Sequence, residues 1–212
     1  MPSQSDDKPL LVIVAGPNGS GKSSFYDRVD LELEGRSIRI VNPDLLAKRI
    51  RVDEERESGE ANLEAVKRIQ SWLDTSVTVY QTVGVETVLS TPKYRELVEK
   101  AQQRGFEIWL MFVILNDPER SVERVRIRVK KGGHPVDEDK IRARYLRCLV
   151  QMPWFLERAD RAWLFDNSGA QPKLVGEKVG TDLSLDPECP DTLLQALITA
   201  GAYAASPDET ET

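Results

Sequence analysis

The stretch LLVIVAGPNGSGKSS, from Leu10 to Ser24, is an apolar run that breaks into a glycine-rich loop and then into residues able to continue as a helix. Gly16, Gly21, Lys22 and Ser23 satisfy the P-loop pattern G-x-x-x-x-G-K-[ST]. Glycines at these places let the backbone curl so that successive N–H groups face a phosphate chain, and the dipole of a following helix adds positive potential. The candidate nucleotide cradle is therefore Gly16, Pro17, Asn18, Gly19, Ser20, Gly21, Lys22, Ser23 and Ser24. Lys22 is placed to reach the β- and γ-phosphates, and the Ser23 hydroxyl to hold Mg²⁺. The context that the pattern needs is also there: Leu10–Ala15 reads as a strand buried on both faces, and 23–33 as a helix.

Outward from this stretch, 212 residues suit one domain able to bury a core without disulfides or metals. A net charge of −6 advertises neither nucleic acid nor an anionic membrane as a partner, so any affinity for phosphates must come from a local cluster. Cys148 and Cys189 are the only cysteines, which fits a reduced compartment. The N-terminus lacks a signal core, and no apolar run approaches transmembrane length, so the expectation is a cytoplasmic protein. Residues 1–9 read as a flexible N-terminus, 10–205 as a single P-loop domain, and 206–212 as a disordered acidic tail.

Strand-like runs alternate with helical patterns, which predicts an α/β fold: a mostly parallel sheet flanked by helices. The predicted strands are 10–15, 37–41, 83–89, 107–115 and 162–165, with a short one at 174–178. Asn42-Pro43, Thr91-Pro92 and Asp117-Pro118 read as helix starts, each a capping side chain followed by a proline at the first helical position. Leu63, Val66, Ile69 and Leu73 give one helix an apolar face, and Val122, Val125 and Val129 another. Asp137 is an expected N-cap, with Val136 and Ile141 as a hydrophobic staple, for a helix running towards Val150. Before it, Lys130 to Pro135 form a basic, glycine-hinged connection of the kind that moves as a helical lid, at about 124–145. His134 belongs to that loop rather than to catalysis. Leu193, Leu194, Leu197 and Ile198 suggest a last helix packed on the body.

A P-loop gives nucleotide binding, and a second motif must separate switch, motor and kinase. No N-K-x-D is present for a guanine base, and the chain is short for a motor. Asp44, just beyond the second strand and in a first helical turn, is the candidate general base for an attacking hydroxyl, or else a helix-start acid. Two apolar runs end in an acid, at Asp117 and Asp166, and either suits a Walker-B-like metal carboxylate; Asp117 reads better as an N-cap, while Asp166, in Asp166-Asn167-Ser168, either lines a nucleotide site or forms a turn. Glu86 is a charge inside a buried strand, which is costly unless it is paired or faces a cleft, and a carboxylate there can hold two hydroxyls of an acceptor. Arg120, Arg124 and Arg128 share a helix face, with Arg142, Arg144 and Arg147 beyond the lid. As a set they suit a transferring phosphoryl group; singly, they suit a solvated face offset by Glu119 and Glu123.

Taken in order, AGPNGSGKSS, VNPD at 41–44, ETVLS at 86–90, RVRIRVKKGGHPVDEDKIRARY at 124–145 and ADRAWLFDNS at 159–168 resemble the zeta toxin family of P-loop kinases. The resemblance implies ATP- and Mg²⁺-dependent phosphorylation of an alcohol group, with UDP-N-acetylglucosamine as the acceptor of well-studied members, and in some members a small antitoxin partner. It implies that Asp44 is the base, Glu86 and Thr87 are substrate ligands, and Arg128 and Arg144 are lid arginines with Arg124 as a third. Asn167 falls in the last matching stretch, at the nucleotide. Departures from the family pattern fall at Leu45, Val88 and Ala143. The competing readings are a kinase for another metabolite or a nucleic-acid end, and a nucleotide-binding regulator without transferase activity.

Overall fold

Leu10–Ala15 forms β1, and all six of its residues are buried, as expected of a strand covered on both faces. The computed structural model describes residues 8–23, 32–33, 36–133 and 135–204. Ser24, His134 and the proposed tail at 206–212 lie outside the described residues, as does most of the proposed N-terminal arm.

After β1 come a short antiparallel pair, β2 (Glu32–Leu33) and β3 (Arg36–Ser37), then β4 (Ile40–Val41), α1 (Pro43–Asp53), α2 (Ser58–Thr78), β5 (Val83–Thr87) and α3 (Arg95–Gln103). β6 (Glu107–Ile114), α4 (Pro118–Lys130), α5 (Glu138–Arg158), β7 (Arg161–Asp166), β8 (Lys173–Val179), β9 (Asp182–Leu185) and α6 (Asp191–Thr199) complete the chain. Seven strands form a mostly parallel sheet in the order β4-β5-β1-β6-β7-β8-β9, with β7, β8 and β9 pairing antiparallel in succession. This is the expected α/β class. By contact density the chain divides into two compact units. Of the described residues, one unit holds those up to Val14, within 22–87 and within 93–109; the other holds those within 15–21, 88–92 and from Leu110 onward.

In the first unit β4 runs parallel to β5, with Ile40 opposite Gly84 and Val41 opposite Val85. The strand expected at 37–41 is thus two short pieces, β3 and β4. α1 begins as predicted, with Pro43 at its first position and Asn42 as N-cap. α2 buries Ile69 and Leu73 of the predicted face and half-buries Val66, but Leu63 is exposed, and Ala61, Ala65, Ser76 and Val77 complete the buried side. Ala61 and Ala65 pack on Ala47 and Ile50 of α1, and these small side chains allow close approach of the two helices. α3 starts three residues after the predicted Thr91-Pro92 signal, with Tyr94 as N-cap residue and Leu97, Val98 and Ala101 buried.

In the second unit Asp117 caps α4, its side chain accepting from the Glu119 N–H at 2.8 Å. α4 closes through N–H bonds from Gly132 to the Val129 carbonyl and from Gly133 to the Arg128 carbonyl, both 2.9 Å, so the Gly-Gly pair serves as a helix end. Asp137 caps α5 by accepting from Lys140 N–H at 3.0 Å, and Val129 and Val136 pack against the buried cluster of Val122, Val125 and Ile141. α5 continues past the predicted end at Val150, through Pro153, to Arg158. Its last carbonyls are met from β8: Lys178 Nζ donates to the carbonyls of Glu157, at 3.1 Å, and Ala159. No helix among the described residues is long and apolar enough to cross a membrane.

Candidate active site

The phosphate loop follows directly from the end of β1. Gly16, Gly19 and Gly21 adopt φ of 147°, 77° and 92°, a region that side chains with a Cβ avoid. Two of these glycines are also required by close approach: a Cβ on Gly16 would run into the Val113 carbonyl, and one on Gly21 into the Asn167 amide. The loop is tightened by a bond from Ser20 N–H to the Pro17 carbonyl at 3.3 Å. Ser20 is fully buried, yet its hydroxyl has no hydrogen-bond partner among the described residues, and neither does Oδ1 of the buried Asn18. Buried polar atoms are rarely left so, and a donor hydroxyl in a curled glycine loop fits the oxygens of a polyphosphate.

Around this loop, in the same unit, stands a polar frame. Asn167 Nδ2 donates to the Ser20 carbonyl at 2.7 Å, and Arg124 donates to the Asn167 carbonyl at 2.6 Å. Arg120 donates to the Ser168 carbonyl at 2.6 Å. Asp166 accepts from Ser168 N–H at 2.8 Å and from the Ser168 hydroxyl, so of its two expected roles it takes the turn.

In the other unit, immediately after Gly21 in the chain, Lys22 is only 5 % exposed. The Ser23 hydroxyl donates to Glu86 Oε2 at 2.7 Å, and Asn42 Nδ2 donates both to that oxygen, at 2.7 Å, and to Ser23 Oγ, at 3.3 Å. The charge on β5 is therefore paired rather than stranded. Glu86 Oε1 takes no hydrogen bond among the described residues. Asn42 does two jobs, since its Oδ1 accepts from the N–H groups of Asp44 at 2.8 Å and Leu45 at 3.2 Å. Asp44 is exposed in the first turn of α1, and Thr87 ends β5, half-buried. No cluster of three or more His, Cys, Asp or Glu able to hold a metal occurs among the described residues. Ser23 Oγ and Glu86 Oε2 offer two hard oxygens, which suits a cation such as Mg²⁺ that takes its remaining ligands from phosphates and water.

The arginines divide by what they touch. Arg142 is bound to Glu119 at 2.6 Å and to Asp139 at 3.2 Å, and Arg126 to Glu138 at 2.6 Å. The hydrogen bond from Arg142 holds the Glu119 carboxyl below its ordinary range, and Arg126 does the same to Glu138. These are solvent-facing ion pairs. Arg128 is exposed near the end of α4, and Arg144 is half-buried on α5. The hydrogen bonds thus bring together Ser23, Asn42 and Glu86 in one unit, and Ser20, Asn167 and Arg124 in the other. Asn42 as a clamp on Glu86, and Arg120 as a tie to Ser168, escaped the sequence reading, which saw only a helix cap and one arginine of a row.

An uncharacterized protein of Haemophilus influenzae is 25% identical over 138 residues, 63% of this chain and 91% of its own length. Among solved structures, the AvrRxo1-ORF1:-ORF2 complex with ATP superposes with a TM-score of 0.63 at 16% identity, over 95% of this chain and 66% of that one. The chain therefore spans just under two thirds of that protein's length. A structure from the PezAT chromosomal toxin-antitoxin system of Streptococcus pneumoniae superposes with a TM-score of 0.62 at 17% identity, over 94% of this chain and 86% of that one. These likenesses establish the fold, and the sequence profile named Zeta toxin matches residues 1–168. With the glycine loop, its lysine and serine, and a profile that matches 1–168 of the 212 residues, the chain belongs to the zeta toxin family of P-loop kinases.

Proposed function

We propose that this chain transfers the γ-phosphate of ATP to an alcohol group of a small molecule in the cytoplasm, the acceptor being a nucleotide-activated sugar such as UDP-N-acetylglucosamine. One observation carries the reading. The hydroxyl of Ser23, next to the P-loop lysine, is joined to Glu86 and Asn42, and Asn42 also sets the helix turn that presents Asp44. A metal-binding hydroxyl, an acceptor-holding carboxylate and a base are thus fixed by one side chain. The ATP complex of the AvrRxo1 relative supports ATP as donor, and the toxin-antitoxin system of the PezAT relative supports a small antitoxin as partner.

In this reading the cradle from Gly16 to Ser24 binds the phosphates, Lys22 neutralises charge at the β- and γ-phosphates, and Ser23 with Glu86 holds Mg²⁺. Mg²⁺ when bound supplies charge neutralisation between the phosphates. Glu86 Oε1 and Thr87 hold the acceptor, and Asp44 takes the hydroxyl proton as the new O–P bond forms and the bond to the ADP oxygen breaks. Arg128, Arg144 and Arg124 stabilise the equatorial oxygens of the transferring group, Arg128 and Arg144 arriving with a lid built from the end of α4 and the start of α5. Phosphorus NMR of ATP, Mg²⁺ and protein with a panel of activated sugars, other metabolites and oligonucleotide ends tests the acceptor. A new phosphomonoester on an activated sugar is the expected result; a product only on another class moves the acceptor, and hydrolysis alone overturns the transfer.

Replacing Arg128 or Arg144 by Ala should lower kcat by on the order of a hundredfold with a smaller effect on ATP affinity, since charge spread over the phosphoryl oxygens peaks in the transition state. Arg142→Ala is the contrast, because its guanidinium is bound to Glu119 and Asp139 in solvent. That variant should leave kcat near the wild type and alter stability slightly, by less as salt rises. Equal kcat for all three variants would place Arg128 and Arg144 on a solvated face.

A further inference from the structure

We propose that the Asp166–Ser168 turn is a latch on the phosphate loop, in which Asn167 acts as a positioning residue by fixing the peptide between Ser20 and Gly21. The inference goes beyond the kinase reading by assigning roles to Asp166, Ser168 and Arg120, and it rests on that reading for its effect on ATP. A turn that only ended β7 would satisfy its polar groups within itself, and Asp166 does close it locally on Ser168. The remaining bonds leave the turn. Ser168 Oγ accepts from Asn116 N–H at 2.8 Å, Asn167 N–H donates to the Ile114 carbonyl at 2.9 Å, and Arg120 and Arg124 of α4 take the carbonyls of Ser168 and Asn167. Held on both sides, the Asn167 side chain spends its amide on the Ser20 carbonyl at 2.7 Å.

That bond has a directional consequence. A trans peptide is planar, with C=O and N–H pointing opposite ways. Drawing the Ser20 carbonyl towards Asn167 therefore turns the Gly21 N–H away from Asn167, and this N–H is one of the donors that a phosphate loop offers its ligand. Gly21 is where a Cβ would meet the Asn167 amide, so the approach is as close as glycine permits. Arg120 and Arg124 lie on the helix that leads to the proposed lid, so the latch ties the seating of α4 to the orientation of a phosphate donor.

The test compares Asn167→Ala and Asn167→Asp with the wild type by hydrogen exchange of the backbone amides of Gly16 and 18–21, ATP titration and steady-state kinetics. Asp keeps the size of the side chain but offers the Ser20 carbonyl no donor, so both variants should behave alike or Asp worse. Exchange in the loop should rise about tenfold, and ATP affinity and KM for ATP should worsen by about as much, the usual worth of one such bond. Turnover at saturating ATP should stay within about twofold, because the bond acts on binding geometry and not on the reacting hydroxyl. Ser168→Ala should shift the same readings in the same direction, and Ser168→Thr, which keeps the hydroxyl, should lie nearer the wild type. Unchanged loop exchange in Asn167→Ala overturns the latch, as does a uniform rise in exchange across the whole chain. A wild type that binds no ATP would instead remove the kinase reading, while the loop-exchange comparison still decides the latch.

Discussion

Lys22→Ala should abolish measurable phosphoryl transfer, a loss on the order of 10³-fold or more, while the protein remains folded. The lysine is 5 % exposed, so its ammonium acts where water screens little and a charge at the phosphates is worth far more than at a surface. Lys22 lies at the end of the loop and not among the packed apolar side chains, so replacing it does not open a cavity as loss of a core leucine would. β1, whose residues are all buried, and the loop glycines remain to shape the cradle. Lys22→Met separates charge from packing, because it restores much of the stem's volume without the ammonium. Both variants should be equally inactive in a coupled ADP-release assay with a confirmed acceptor, with near-UV circular dichroism unchanged. Turnover surviving in both would end the P-loop kinase reading.

What the sequence revealed of the fold follows how local each signal is. β1 and the phosphate loop were legible because six apolar residues and a glycine-lysine-serine spacing are contiguous. Asn42-Pro43 and Asp117-Pro118 were legible because a cap side chain bonds N–H groups two or three residues on. Thr91-Pro92 carries the same kind of signal, yet Thr91 caps no helix. There the chain turns first, and the helix starts where buried Tyr94 and the Leu97–Val98–Ala101 face dock. The face of α2 was legible at Ile69 and Leu73, which are buried, and misread at Leu63, which is left in solvent while the smaller Ala61 and Ala65 are buried against α1. β9 was missed although its signal is local. Gly180 and Thr181 make a two-residue turn between Val179 and Asp182, which pair across the hairpin, but the polar strand beyond shows no apolar run.

The candidate site was legible residue by residue and illegible as a set of contacts. Asn42 illustrates both halves. Its oxygen serves the next helix turn, which spacing predicts, while its nitrogen serves Glu86, 44 positions away, which only the parallel pairing of β4 with β5 arranges. In the same way Arg120, Arg124, Arg126 and Arg128 look alike along α4. Two of them are sorted to turn carbonyls and one to Glu138 by partners on other elements, which periodicity cannot supply.

Asp44→Asn should leave ATP binding intact and lower transfer to the acceptor by roughly 10²–10⁴-fold, the range of a positioned acid or base. The substitution keeps the size of the side chain and its hydrogen-bonding reach but removes its capacity to take a proton. It also leaves α1 in place, because that helix start depends on Asn42 Oδ1 accepting from the main-chain N–H of Asp44, not on the Asp44 carboxylate. Glu86→Gln should differ in kind. Its Oε2 accepts from both Ser23 and Asn42, and an amide in its place cannot accept both bonds and still offer a carboxylate oxygen to an acceptor hydroxyl. KM for the acceptor should therefore rise, with a secondary weakening of the Mg²⁺ requirement curve, and kcat at saturation should fall less than in Asp44→Asn. Titrating ATP and measuring kcat and KM with the acceptor found by phosphorus NMR distinguishes the two. Near-normal kcat in Asp44→Asn would reduce Asp44 to a helix-start acid and leave Glu86 as the carboxylate to test for the base.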